Sequence, residues 1–287
     1  MDAIRRFERP NLRRPTAIIA FEGWNDACDA ASAAAAYILG EAGLVEPFAA
    51  IDPEEFFDFQ AHRPLVEVDE GGTRSLSWPL TGFYAVPQPT ADRDLVVVAG
   101  DEPSFRWRTF TRHVTQVLSD TGVEDVVLLG AFIGQVPHTR PTPIVGVATD
   151  PAIIRSYGLS TSNYEGPTGI VGVLMEACLE AGLPAVSLWA AVPHYLAANP
   201  NPKAALALLE QTGSMVDLRT DLSELQLAVE EFNERVDDAV RVSADFSQYV
   251  EDLEEDPDTI IPVADDIAAD DPAALVTEIE DFLRDQR

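Results

Sequence analysis

Positive charge is scarce in this sequence: 19 lysines and arginines stand against 49 aspartates and glutamates, a formal net charge of −30 over 287 residues. A surface of that sign repels a phosphate backbone, so nucleic acid is not expected as a partner. Long apolar runs are also lacking. No stretch of eighteen uncharged apolar residues occurs, and no membrane-spanning helix is expected. The opening MDAIRRFERPNLRRP is basic, but Glu22 interrupts the apolar run behind it, which argues against a secretory leader or an anchor. Cysteine appears only as Cys28 and Cys178, both within apolar helical patterns. They read as reduced core residues, and the expectation is a cytoplasmic protein.

Several catalytic signatures are missing as well. No Walker loop and no G-x-G-x-x-G fingerprint opens a strand-to-helix turn, so phosphate-cradling nucleotide sites lack support. No Gly-x-Ser-x-Gly elbow surrounds Ser104, which leaves Ser104, His138 and Asp101 without the frame of a nucleophilic triad. His138, His194 and Glu102 could ligate a divalent metal chemically, but they lack the spacing of a metal motif. No metal or other cofactor is expected.

What is present is an alternation of strand and helix signals over residues 16–198. TAIIAF, EPFAAID, GFYAVP, DLVVVAG, EDVVLLGAFIG, TPIVGVATD and PAVSLWAAVPHYL read as strands. Between them, NDACDAASAAAAYILGEAG, PSFRWRTFTRHVTQVLSDTG and PTGIVGVLMEACLEAG read as helices, and PNPKAALALLEQTG follows as another. Asn25 or Asp26 is the expected cap of the first helix. Gly43 and Gly182 stand just past helix ends. PLVEVDEGGTRSLSWP alternates about Gly71-Gly72, a hairpin signal. Apolar strands without alternation, separated by helices, predict a mostly parallel sheet covered on both faces.

The character changes at Asp221. Residues 221–287 carry 22 acidic and 4 basic side chains, against 27 and 15 in the first 220. Within that segment DLSELQLAVEEFNERVDDAVRVS and DDPAALVTEIEDFLRDQR read as amphipathic helices, and residues 251–271 between them as a polar linker. The expected division is an α/β domain over 1–220 and an acidic helical appendage over 221–287.

Ligands of open parallel sheets bind beyond the carboxyl ends of the strands. Four strands here run into polar loops with Gly or Pro. Glu22, Trp24, Asn25 and Asp26 follow the first, and Glu102 and Arg106 follow DLVVVAG. His138, Thr139 and Arg140 follow DVVLLGAFIG within VPHTRPTPIVG, and His194 and Tyr195 follow AVSLWAAV. Pro137 and Pro141 would stiffen the third loop. Asn163, Tyr164 and Glu165 can join them. The segment Gly166, Thr168, Gly169 opens a helix, whose free N–H groups form a candidate anion site. These residues define either a small-molecule pocket or a network of mutually satisfied polar groups.

The stretches FEGWNDACDAASAAAAYIL, GDEPSFRWRTF, VPHTRP, NYEGPTGI and LWAAVPHYLAANPNPKA resemble the actinobacterial branch of the family named after the second subunit of the eukaryotic proteasome assembly chaperone. The resemblance spans roughly residues 10–215. It implies a three-layer α/β/α sandwich of the phosphorylase/hydrolase-like kind, a tendency to form homo-oligomers, and a non-enzymatic role with proteasome subunits as candidate partners. Some archaeal relatives engage the proteasome through a C-terminal hydrophobic-Tyr-any tail, whereas this chain ends FLRDQR. The reading favoured here is an oligomeric binding or assembly protein. The alternative is a hydrolase- or phosphorylase-like enzyme or ligand sensor, in which Arg140 and Arg106 hold charge and Glu102 or His138 moves a proton.

Overall fold

Apolar runs in the central strands are continuous because each strand is covered twice. In a computed structural model, which describes residues 3–43, 46–69, 71–161, 164–197 and 200–255, the chain begins with β1 (Ile4–Arg6), β2 (Thr16–Glu22), α1 (Ala30–Glu41) and β3 (Ala49–Ile51). It continues with β4 (Leu65–Val68), β5 (Arg74–Ser77), β6 (Thr81–Val86), β7 (Leu95–Asp101), α2 (Trp107–Thr121), β8 (Asp125–Gly134) and β9 (Ile144–Ala148). The rest comprises α3 (Pro151–Ser156), β10 (Ser160–Thr161), α4 (Ile170–Ala181), β11 (Ala185–Pro193), α5 (Pro202–Val216), α6 (Ser223–Val242) and α7 (Ala244–Glu255).

Nine strands form one mixed sheet in the order β1-β3-β6-β7-β2-β8-β11-β9-β10, and β4 and β5 form a separate ribbon. The central four, β7, β2, β8 and β11, are mutually parallel. Ile19, Phe21, Val96, Val98, Val126 and Leu128 point to one face, under α2 and α4. Ile18, Ala20, Val97, Val127 and Leu129 point to the other, under α1 and α5. Side chains of one strand thus enter two cores in turn, which gives three layers. Small residues on α1, namely Ala30, Ala31, Ala34 and Ala35, let that helix lie close to the sheet.

Three local differences from the sequence reading have simple causes. The stretch 103–106 precedes α2 as a loop, because Arg106 takes a left-handed conformation (φ 56°), and Phe105 is exposed there. β9 runs antiparallel to β11, since the proline loop after β8 carries no crossover helix and returns the chain directly. Residues 251–255 complete α7 rather than a linker, as Phe246, Val250 and Leu253 continue an apolar stripe. The terminal helix expected over 270–287, the remainder of the linker and Asn163 lie outside the described residues.

α6 and α7 pack onto the α/β body. Phe232, Val236, Ala239 and Val240 of α6 and Phe246 and Val250 of α7 bury against Tyr195 and Leu196, in the short turn that ends β11. Leu225 of α6 joins the core shared by α1 and α5. This places the acidic helices over the carboxyl end of β11.

Candidate functional site

The polar loops fall into two sets. The first lies at the ends of β2 and β7, where Glu22 pairs in register with Asp101. Partial burial, then the neighbouring Asp101 carboxylate, push the Glu22 carboxyl above its ordinary range. Asp26 is buried, and burial raises it too, although Oδ1 accepts from Ala31 N at 2.6 Å and Ser32 N at 3.2 Å. Asp26 therefore serves α1 as a cap from several residues upstream, across a 3₁₀ turn in which Cys28 and Asp29 are left-handed. Asn25 is fully buried. Its Nδ2 donates to Glu102 Oε1 at 2.8 Å, and its backbone carbonyl accepts from Ala131 N at 2.8 Å, tying the loop to β8.

Glu102 Oε1 also accepts from Ile170 N at 2.7 Å. It thereby caps α4, whose own N-cap, Gly169, has no side chain. A Cβ at Gly169 would overlap the Asn25 amide, so glycine permits that close approach. The helix start proposed for an anion thus already holds a carboxylate of this chain. Tyr164, Glu165, Gly166 and Thr168 are exposed on the loop before it, and Tyr164 OH donates to Pro167 O at 2.9 Å. Trp24 is exposed, and Arg106 pairs with Glu55 at the surface.

The second set lies at the ends of β8 and β11. His138 is 4% exposed and Tyr195 fully buried. His138 N donates to Tyr195 OH at 2.7 Å, and Tyr195 OH lies 2.8 Å from His138 Nδ1. The hydroxyl accepts the first bond and has one proton to give, so it donates to Nδ1. Nε2 then carries the imidazole proton and donates to Asp237 Oδ1 on α6 at 3.1 Å. Burial holds the imidazole below its ordinary pKa, against the opposing pull of Asp237. Burial likewise pushes the Tyr195 phenol upward.

Around this pair, Lys203 Nζ donates to His138 O, Thr139 Oγ1 donates to Glu254, and Arg140 donates to the Glu254 carbonyl on α7. Tyr249 OH meets His194 Nε2 at 2.9 Å. The proline-rich loop is the seat on which the acidic helices dock.

Room among these groups is small. A cavity of about 10 Å³ lies beside His138, Arg140, Asn201, Lys203 and Phe232, enough for roughly one water. A cleft of about 610 Å³ opens instead near the amino ends of β8 and β11, with Arg93, Asp125, Tyr157 and Met215 in its wall. Arg93 there pairs with Glu124 and Asp125. Among the described residues no three His, Cys, Asp or Glu side chains gather to hold a metal. Burial raises both free cysteines to about 12, which leaves them as unreactive thiols.

Sequence reasoning missed Lys203, Asp237 and Glu254. The signal for the first was available, since Lys203 is the only lysine in the chain and opens a helix. Asp237 and Glu254 sit among many acids, and nothing local distinguishes them.

A three-layer sandwich whose strand-end loops seat a helical cap defines a class of α/β scaffold. Residues 20–240 match the model of the PAC2 family, and the chain belongs to that family. A PAC2 family protein from Streptomyces avermitilis is 48% identical with a TM-score of 0.77, over 82% of this chain and 99% of that one. A Mycobacterium tuberculosis protein described as a proteasome-assembly chaperone homologue is 41% identical with a TM-score of 0.75, again over 82% and 99%. Pyrococcus furiosus PbaB, an archaeal proteasome activator, shares the fold at 20% identity and a TM-score of 0.62, over 82% of this chain and 97% of its own. No curated protein matches the chain. No helix among the described residues is long and apolar enough to cross a membrane.

Proposed function

We propose that this chain is a non-enzymatic, self-associating assembly protein that acts in the cytoplasm and binds proteasome subunits. The observation that carries the reading is the state of the strand-end groups. His138 is engaged by Tyr195 and Asp237, and Glu102 by Asn25 and Ile170 N. Beside His138, so engaged, there is space for roughly one water and not for a substrate. The Mycobacterium tuberculosis relative, described as a proteasome-assembly chaperone homologue, supplies the class of partner. Docking would use the outer surface, because Glu102 is taken up by Asn25 and the start of α4, and the groups after β8 and β11 by α6 and α7.

Native mass spectrometry of the purified chain mixed with proteasome α and β subunits from the same cells tests this. The expected result is a stoichiometric complex with the α subunit and faster ring formation than with the subunits alone. No complex, together with a stoichiometric small molecule retained by the chain, would overturn the reading in favour of an enzyme or sensor.

A further inference from the structure

The cleft of about 610 Å³ lies at the amino ends of β8 and β11, the opposite end of these strands from the loops that α6 and α7 cover. Small-molecule sites span about 300–1,000 Å³ and combine apolar walls with a few charged groups. Val127, Val186, Ile153, Met215 and Tyr157 supply the apolar walls here. Val127 and Val186 belong to the core under α1 and α5, so the cleft reaches down to packed side chains of the sheet.

The charged groups set the sign of a ligand. Arg14 and Arg93 line the cleft with Asp92, Glu124, Asp125 and Asp217, two cations against four anions. Both arginines are taken up by Glu124 and Asp125, and Asp217 meets Arg219 at 2.6 Å. Asp92 is exposed and has no ion pair among the described residues. The end of α5 acts in the same direction. Met215, Val216 and Asp217 bring the last turn of that 15-residue helix into the wall, and no basic side chain lies in the turn. Carbonyls of a last helical turn lack intrahelical donors and carry partial negative charge. Tyr157 OH donates to one of them, Met215 O, at 3.4 Å, so this helix end is open to a donor from the cleft.

We propose that the cleft binds a small organic cation, an ammonium carried on an apolar aromatic or aliphatic body. The body packs on the valines and Met215, while Asp92 and the α5 carbonyls offer the ammonium its acceptors. An anion of the same shape meets the same groups and is repelled. The site is separate from His138 and Glu102 and goes beyond the assembly reading without altering it.

Amide NMR titration of the full chain at about 150 mM salt, where long-range attraction to the acidic surface is screened, tests this. The probes are phenethylamine, protonated at neutral pH, and the uncharged phenylethanol and anionic phenylpropionate. Phenethylamine should give saturable shifts centred on Val126, Val186 and Val216. Phenylethanol should bind about 5-fold more weakly or worse, and phenylpropionate should not saturate. Asp92→Lys, at an exposed side chain, should weaken phenethylamine about 5-fold or more, and Met215→Trp, which fills the cleft, should abolish its shifts. If Met215→Trp fails to fold, the three probes on the unaltered chain still decide. No saturable shift from phenethylamine, shifts centred elsewhere, equal binding of the alcohol or the acid, or binding that neither variant weakens would each overturn the proposal.

Discussion

His138 carries a pH dependence whose sign follows from its surroundings. The groups that face it are Tyr195, Asp237, Lys203 and Glu254, and burial outweighs the acids. The folded imidazole therefore stays neutral at a pH where the unfolded one, near its ordinary value of about 6.5, takes a proton. Its contribution is complete above that ordinary value and is lost as pH falls through the lower folded pKa. Glu22 and Asp26, both raised, act in the opposite sense, since the folded chain takes their protons first. They are unchanged in a His138→Gln variant and cancel in the difference. At pH 8 the variant should be less stable by about 1–3 kcal/mol. That gap should narrow as pH drops to 5 in parallel thermal melts. A gap that is absent at pH 8, or constant with pH, would count against a buried neutral histidine.

At the scale of elements, the docking of α7 is decided by a few large side chains. Phe246 is 1% exposed and meets Tyr195 edge-on with ring centroids 5.2 Å apart. Truncating it leaves a cavity between α7 and the β11 turn, and Phe246→Ala should cost about 3–5 kcal/mol in chemical denaturation. A loss below about 1 kcal/mol would mean that α7 only rests on the surface. The helix itself was partly legible, since Phe246, Val250 and Leu253 share a face. α3 was legible too, with Asp150 capping Ala152 N and Pro151 at the first position, a start signal the strand reading passed over. The strands with continuous apolar runs were legible because burial on two faces leaves only that pattern. The direction of β9 was not, as an apolar pentapeptide reads the same either way.

Over the whole molecule, net charge sets a common term. With −30 on 287 residues, the folded chain holds its acids closer together than the unfolded one does. Screening should relieve that repulsion, so the melting temperature should rise as salt goes from about 20 to about 200 mM, where the Debye length shortens to under about 10 Å. A flat or falling melting temperature would mean that ion pairs such as Arg13–Asp94 outweigh the repulsion. The acidic helices fit the same picture. α6 and α7 turn their apolar stripes onto the body and leave most of their carboxylates in solvent.

The sequence by itself determined the layers. Period-2 strands with no polar face and helices with one apolar stripe have a single low-energy arrangement, a sheet covered on both sides. It also determined which loops carry His138, Glu102 and their neighbours to the strand ends. Only the tertiary structure decided what those groups do there. Asp237 is 99 residues from His138 along the chain, and the Glu102 cap on Ile170 N spans 68. Contacts at such separations leave no periodic trace, because each partner is chosen by packing far from its own segment. That the loops after β8 and β11 form a seat for the chain's own helices was therefore set by how α6 and α7 fold back, through apolar contacts with Tyr195 and Leu196.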